Sequence, residues 1–171
     1  MTPLAPPALT TTIDSPVGLL TLTGFPGVLT GLQMEGQAHT PPLPDGCTRD
    51  DRAFAPVKAQ LEAYFAGELT EFDVNLQLEG TEFQQRVWGS LRRIPYGETW
   101  SYARLAALVG NPAASRAVGV ANSRNPIAII VPCHRVIGAN GTLTGYAGGL
   151  DRKAWLLGLE RRAARPGLFD G

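Results

Sequence analysis

Cys133 and His134 are adjacent in the sequence Pro132-Cys133-His134-Arg135, and the pair could supply a nucleophile and its base. A free cysteine has a pKa of about 8.5, so a nucleophilic thiol near neutral pH needs a neighbouring base or a positive field. Adjacent side chains on an extended strand point in opposite directions, so the chain must turn here for the two groups to communicate, with a water molecule as a proton relay. The alternative is that Cys133 is a small buried hydrophobic residue, as a lone cysteine usually is.

A histidine base needs an acceptor that fixes its tautomer. The C-terminal half of the chain offers few acids, namely Glu98, Asp151, Glu160 and Asp170. Glu160 is the best candidate, because it follows Leu156 and Leu157 by four and three residues and so lies on or beside the apolar face of the last predicted helix. The competing interpretation is a surface ion pair between Glu160 and a nearby arginine.

The charges are divided unevenly along the chain, although the formal net charge is zero. Residues 1–90 contain 4 Lys/Arg and 11 Asp/Glu, whereas residues 91–171 contain 11 Lys/Arg and 4 Asp/Glu. A basic half on a neutral protein is typical of a protein that rests one face on phosphates. Mutual attraction between the two halves is the alternative interpretation.

Composition argues against several classes of protein. No apolar run approaches the roughly 20 residues that a membrane helix needs, and residues 1–12 lack the basic start and apolar core of a secretory signal. Cys47 and Cys133 lie in very different surroundings, so we expect no disulfide framework. With only His39 and His134 as histidines and no paired cysteine spacing, we expect no metal site. These features predict a cytoplasmic protein without a membrane span.

Residues 1–80 are predicted to form an N-terminal α/β domain. Short apolar runs alternate with turns over residues 10–33 and predict a small antiparallel meander, and residues 36–55 are predicted to be a loop. Apolar residues at helical spacing over 57–65 predict one helix, ended by Gly67. A further strand is predicted from apolar residues that alternate with polar ones: Phe72, Val74, Leu76 and Leu78.

Residues 81–171 are predicted to form a mostly helical C-terminal domain. The sequence Thr81-Glu82-Phe83-Gln84 has the pattern of a capping box at a helix start. Two short helices around Gly110-Asn111 predict a helix-turn-helix over about 101–123, with Asn111 as the cap of the second helix and Pro112 in its first turn. Residues 127–131 are predicted to be a buried strand, and Asp151 is expected to cap the last helix.

The second helix of this pair is built from small residues, namely Ala113, Ala114, Ala117, Gly119 and Ala121. Small side chains allow tight packing against another helix. They would also let the helix enter the minor groove of DNA, which is only about 6 Å wide. The sequence pattern leaves both interpretations open.

Six motifs in order resemble those of the O6-alkylguanine-DNA alkyltransferase family. They are Ile-Pro-Tyr-Gly-Glu at 94–98, Ser-Tyr at 101–102, Arg-Ala-Val-Gly at 116–119, Asn-Pro at 125–126, Pro-Cys-His-Arg-Val at 132–136 and Gly-Tyr-Ala-Gly-Gly-Leu at 145–150. The resemblance is strong over residues 81–163, whereas the N-terminal part resembles the family only in its length and strand-then-helix order. It implies an α/β (α+β) fold with a ribonuclease-H-like N-terminal unit.

The resemblance also implies roles for the candidate catalytic residues. Cys133 would accept the alkyl group, His134 would polarise it through a water molecule, and Glu160 would be the acid behind His134. Tyr102 would assist base extrusion and give a proton to the departing purine.

Further roles in DNA and base binding are implied by the same resemblance. Arg116 would fill the gap left by a flipped base in the minor groove, and Asn125 would brace the helix-turn-helix against the active-site strand. The other residues expected to contact DNA are Ala117, Gly119, Arg124 and Arg135. The remaining residues expected around the base pocket are Val136, Tyr146, Ala147 and Gly148; at Ala147 some relatives carry serine.

The implied function is single-turnover repair of O6-alkylguanine in double-stranded DNA, with O4-alkylthymine as a second candidate substrate. No cofactor is expected, and a monomer is expected. Three alternatives share some of the features. A non-catalytic damage sensor would lack the nucleophile, and a Cys-His hydrolase would not need Arg116 or the small-residue helix; a sequence-specific DNA-binding regulator would need only the paired helices.

Overall fold

A small sheet forms the first part of the protein, for which a computed structural model describes residues 7–164. Strands β1 (Leu9–Ile13), β2 (Leu20–Phe25) and β3 (Val28–Met34) form the antiparallel meander that the turn signals predicted. Buried and partly exposed residues alternate along β1 and β2, because one face of the sheet packs on the core. A short strand β4 (Thr48–Arg49) joins β1 in parallel, so the sheet is mixed, in the order β3-β2-β1-β4.

Helix α1 (Ala55–Phe65) follows the loop as predicted. Leu61 and Tyr64 are its buried residues. Gly67, with a φ of +76°, takes the left-handed conformation that ends many helices.

The predicted strand at residues 72–78 is wrong, although its alternation is real. Every second side chain of this segment is half-buried, yet only Leu76 forms a bridge, with Leu29 of β3. The outer edge of β3 is shared with a second segment, since Leu32 accepts a backbone hydrogen bond from Ala128. Because two segments divide one edge, neither can form a full strand there.

The predicted strand at residues 127–131 is wrong for the same reason. Ile127 forms a single bridge to Leu32, and the chain then turns at once, with Ile129 at a φ of +72°. All five residues are buried, so the apolar run correctly indicated burial but not strand geometry.

The C-terminal part begins with helix α2 (Glu82–Leu91), and the predicted capping box is confirmed by reciprocal hydrogen bonds between Thr81 and Gln84. Helices α3 (Tyr102–Leu108) and α4 (Ser115–Ser123) form the predicted pair. The predicted start of α4 is wrong by three residues. The carbonyl of Asn111 accepts a hydrogen bond from Ala114 in a turn, so this turn takes up residues 112–114 before the helix begins.

Two short strands and a long helix complete the described chain. Strands β5 (Trp100–Ser101) and β6 (Val136–Ile137) pair in parallel. Helix α5 (Leu150–Ala164) begins before Asp151, which therefore lies in its first turn and is not its cap; Lys153 already donates its backbone N–H to Gly149. No helix within residues 7–164 is both long and apolar enough to cross a bilayer.

Candidate active site

Cys133 and His134 lie in a single 3-10 turn, Cys133–Arg135, at the end of the buried segment. The backbone N–H of Cys133 donates to Val131, and that of Arg135 donates to Pro132. The chain therefore turns at Cys133, as it must if the thiol and the imidazole are to communicate. Both side chains are buried, and His134 is completely so.

Glu160 of α5 lies directly behind His134. Its Oε2 is 2.6 Å from His134 Nε2, and the carboxylate is 1% exposed, so the surface ion pair considered from the sequence is wrong. Arg135 donates from Nε to Oε1 at 2.7 Å and from a terminal nitrogen to Oε2 at 3.2 Å. Burial alone would raise the pKa of Glu160, but His134 and Arg135 together lower it to about 2.

The imidazole of His134 is held in one tautomer by this arrangement. Because an ionised Glu160 can only accept, Nε2 carries the hydrogen and Nδ1 keeps a lone pair. Nδ1 is buried and has no hydrogen-bond partner among the described residues. Burial lowers the pKa of His134 despite the opposing effect of Glu160, so the ring is a neutral base with a free lone pair.

Tyr64 of α1 completes the cluster and was missed by the sequence analysis. Its hydroxyl donates to Glu160 Oε2 at 2.5 Å. Burial and the adjacent carboxylate raise its pKa well above the ordinary value, so it stays protonated and remains a donor. The sequence did show a tyrosine on the apolar face of a predicted helix. Because a buried phenol hydroxyl usually has a hydrogen-bond partner, this position could have indicated a polar partner for Tyr64 in the core.

Arg135 is not part of a DNA-binding surface, contrary to the sequence prediction. The side chain is buried, its guanidinium bonds Glu160 and the carbonyl of Ile94, and it lies over the ring of Tyr96. Its donors are thus committed to the interior. The structure assigns Arg135 to the support of Glu160.

The thiol of Cys133 is buried, and three polar side chains act on it. Burial raises its pKa, while the side chain of Asn125, the ammonium of Lys153 and the hydroxyl of Tyr146 oppose that rise. Asn125 also donates to the carbonyl of Val131 at 2.8 Å and accepts from the N–H of Ile127 at 3.0 Å. It therefore fixes the segment that leads to Cys133.

Lys153 is a second residue that the sequence analysis missed. It is completely buried, and its Nζ donates to the carbonyl of Thr144 at 2.8 Å. The hydroxyl of Tyr102 donates to the same carbonyl at 3.4 Å, and the ammonium is 6.0 Å from the centre of the Tyr102 ring. Burial lowers the pKa of Lys153 to about 8. Lys153 precedes Glu160 by seven residues, so helical spacing already placed the two side chains on the same face of α5.

A cavity of about 440 Å³ opens between α4 and the loop before α5. Its lining brings together several predicted site residues: Tyr102, Arg116, Gly119, Tyr146 and Ala147. Tyr146 connects this cavity to the nucleophile, because its hydroxyl lies beside the Cys133 thiol. Tyr146 is therefore shared by the cavity wall and the surroundings of Cys133, although Cys133 itself does not line the cavity.

The other predicted site residues lie at the edges of this region. Arg116, Ala117 and Arg124 are exposed on or beside α4. Val136 is buried in β6 beside Trp100, and neither Val136 nor Gly148 lines the cavity.

The tight-packing interpretation of the small-residue helix is confirmed for one face, and entry into the minor groove stays a prediction. Ala121 is buried, and its carbonyl accepts from the indole N–H of Trp88, so this face packs tightly on α2. Ala117 is exposed on another face, which leaves it free to contact a partner.

Gly148 marks a close approach between the cavity loop and the sheet. A Cβ at this position would lie 2.8 Å from Met34 Sδ and 2.8 Å from the ring of Tyr146. Only glycine fits there without a shift of its neighbours. Among the described residues, no cluster of three or more His, Cys, Asp or Glu could hold a metal ion.

Two family models match the chain. The model described as "6-O-methylguanine DNA methyltransferase, ribonuclease-like domain" matches residues 9–78. The model described as "6-O-methylguanine DNA methyltransferase, DNA binding domain" matches residues 82–162.

Relatives with high sequence identity carry a consistent name. The methylated-DNA--protein-cysteine methyltransferase of Mycolicibacterium paratuberculosis is 63% identical over 161 residues, which cover 93% of this chain and 97% of the relative. The protein of that name from Methanosarcina acetivorans is 56% identical over 147 residues, covering 86% and 94%. The solved structure of Mycobacterium tuberculosis OGT in complex with DNA has 58% identity and a TM-score of 0.87, covering 95% and 99%. The chain belongs to the 6-O-methylguanine DNA methyltransferase family.

Proposed function

We propose that this protein repairs DNA by moving an alkyl group from the O6 of guanine to its own Cys133. The observation that carries the proposal is the 3-10 turn that holds a buried thiol and a buried, neutral histidine backed by Glu160, close to a cavity whose wall includes Tyr146. The names of the relatives describe the same reaction, transfer from methylated DNA to a protein cysteine.

The proposed chemistry balances without a further reactant. His134 takes the proton of Cys133 through a water molecule, and the thiolate attacks the alkyl carbon of the lesion. A carbon–sulfur bond forms as the carbon–oxygen bond breaks, and its electron pair leaves with the guanine. Tyr102 donates a proton to the departing base, and the proton that His134 took from Cys133 returns through solvent to restore Tyr102. The product is a stable thioether, so each protein molecule reacts once.

Lys153 supports two steps of this reaction. Its positive charge acts on Cys133 and favours the thiolate. Its bond to the carbonyl of Thr144, which Tyr102 also contacts, keeps a cation beside the phenol that must lose a proton.

The alkylated base must leave the duplex to reach Cys133, because the O6 atom is inaccessible within the stack. We propose that α4 enters the minor groove and that Arg116 fills the gap left by the flipped base. The exposure of Arg116 and Ala117 on α4 supports this, as does the solved complex of the M. tuberculosis relative with DNA. Chromosomal DNA as the substrate favours a cytoplasmic location.

The test is intact-protein mass spectrometry after equimolar mixing with a duplex that contains one O6-methylguanine. The wild-type protein should gain the mass of one methyl group in place of a thiol hydrogen, and the Cys133→Ala variant should gain none. Cys47→Ala is a matched control, because it removes the only other cysteine, which lies in the N-terminal loop. Tight binding of the damaged duplex without a mass change would instead indicate a damage sensor.

A further inference from the structure

His39 lies at the mouth of the base cavity, although it belongs to the N-terminal unit. It lines the cavity together with Ala38, and the same lining includes Tyr102 and Arg116 of the helix pair. The side chain of His39 is exposed. The proposed roles of the cavity residues do not include it, and its imidazole can both donate and accept a hydrogen bond.

The backbone of His39 is in the left-handed region, with a φ of +62°. Among the non-glycine residues of 7–164, only His39 and Ile129 have a positive φ. Such a conformation costs free energy in a residue with a side chain and is concentrated at functional sites. Glycine would adopt it without strain, as Gly36 does three residues earlier. Histidine tolerates this conformation better than most residues with a side chain, so the backbone permits an imidazole here but does not require one.

The segment that carries His39 is fixed to the cavity loop. The N–H of Ala38 donates to the carbonyl of Ala147 at 2.8 Å, which joins the two loops directly. On the sheet side, Gln37 accepts from the N–H of Met34 at 2.7 Å, and Thr40 donates to the carbonyl of Gln37 at 3.0 Å. These bonds hold His39 at a defined place on the rim.

A flipped base reaches a pocket by rotation of its nucleotide about the DNA backbone. Because the base stays attached to its sugar and phosphates, the flanking phosphates of a base in this cavity must lie near the cavity opening. Arg116 is the only cation that lines this cavity among the described residues, and it is assigned to the gap in the duplex. A phosphate next to the flipped nucleotide would need a different donor.

From this geometry we infer that His39 binds a backbone phosphate next to the flipped nucleotide, which makes the N-terminal unit part of the DNA interface. The inference rests on the proposed function. The contact positions the nucleotide and does not take part in the transfer of the alkyl group. Its ligand is the phosphodiester, so it should be independent of the identity of the alkyl group.

The test is a double-mutant cycle in which one change is made in the protein and the other in the DNA. In a Cys133→Ala background, which prevents transfer, binding is measured by fluorescence anisotropy for a duplex with one O6-methylguanine. His39→Ala should weaken binding about tenfold, the effect of one lost bond to a charged group. An uncharged methylphosphonate at one of the two phosphates that flank the lesion should weaken the parent protein similarly. The two changes together should cost no more than either alone.

Several controls separate this contact from a change in the shape of the loop. His39→Gly adopts the left-handed conformation without strain but removes the imidazole, and it should weaken binding like His39→Ala. Leu43→Ala removes an exposed side chain from the same loop and should leave the affinity unchanged. With Cys133 present, His39→Ala should react at the normal rate with free O6-benzylguanine, which has no phosphate.

The outcomes are distinct. Equal binding by the parent and His39→Ala, or additive losses at both methylphosphonate positions, would overturn the inference. A slower reaction with the free base would also overturn it, because His39 would then shape the pocket. Failure of the Cys133-containing protein to accept any alkyl group would refute the proposed function, while the binding cycle would still test His39.

Discussion

The hydroxyl of Tyr64 donates a hydrogen bond to the carboxylate of Glu160, so a residue near the end of α1 supports the acid behind His134. The two residues are 96 positions apart in the sequence. The charge distribution of the active site is thus set in part by the N-terminal unit.

Tyr64→Phe removes this donor and keeps the ring. We expect the free energy of unfolding to fall by about 1–3 kcal/mol, because Glu160 loses a buried partner. The carboxylate also becomes more basic and raises the pKa of His134, whose other charged neighbours are Arg135 and Lys153. The acidic limb of the rate profile for alkyl transfer should therefore move to higher pH. Tyr96→Phe is the control, since the Tyr96 hydroxyl has no hydrogen-bond partner among the described residues.

Acid should destabilise the protein through Glu160. Its pKa is lowered to about 2 in the folded protein from an ordinary value of 4.5, so its contribution is complete above pH 4.5 and is lost as pH falls toward 2. The loss should be about 3 kcal/mol, measured by urea unfolding over that range. Glu160→Gln should be less stable at pH 7 and should lack this dependence. An identical pH dependence in both proteins would assign acid unfolding to other carboxylates.

Lys153→Met should alter both stability and reactivity. Because the folded protein lowers the pKa of Lys153 from 10.5 to about 8, the stability of the native protein should rise between those pH values, and the variant should lack that rise. The variant should also have a higher pKa at Cys133, since the ammonium favours the thiolate. The expected result is alkyl transfer slowed about tenfold near pH 7, with the pH dependence of thiol labelling moved upward. An unchanged labelling profile would contradict the proposed electrostatic role.

Asn125→Ala should destabilise the approach to Cys133. It leaves the carbonyl of Val131 and the N–H of Ile127 without their side-chain partner in a buried segment. We expect a loss of about 2–4 kcal/mol in thermal or denaturant unfolding. Asn122→Ala, which removes one longer bond to the carbonyl of Cys133, should cost less. A larger loss of stability for Asn122→Ala than for Asn125→Ala would contradict the role given to Asn125.

Local patterns predicted the features that depend on neighbouring residues. The capping box of Thr81 and Gln84, the left-handed turn at Gly67 and the bend at Cys133 each follow from residues within a few positions. Glu160 was predicted because helical spacing assigned it to the apolar face of α5. In each case the sequence separation was short enough for a single element to fix the geometry.

Features that depend on distant segments could not be predicted in the same way. The apolar alternation at 72–78 does not reveal that Leu32 already pairs with Ile127 on the same edge of β3. Arg135 was assigned to DNA because nothing near it in the sequence shows that Glu160 and the carbonyl of Ile94 use its donors. Tyr64 was missed for the same reason, since its partner lies on the last helix.

The shared edge of β3 limits how far this protein can be shortened. A truncated version that begins at α2 would leave the carbonyl of Pro126 and the N–H of Ala128 without the partners that Leu32 of β3 now supplies, and unpaired backbone groups of this kind promote aggregation. It would also remove the Tyr64 hydroxyl that donates to Glu160. A shortened version of this chain must therefore retain the sheet and α1, even though the nucleophile lies outside them.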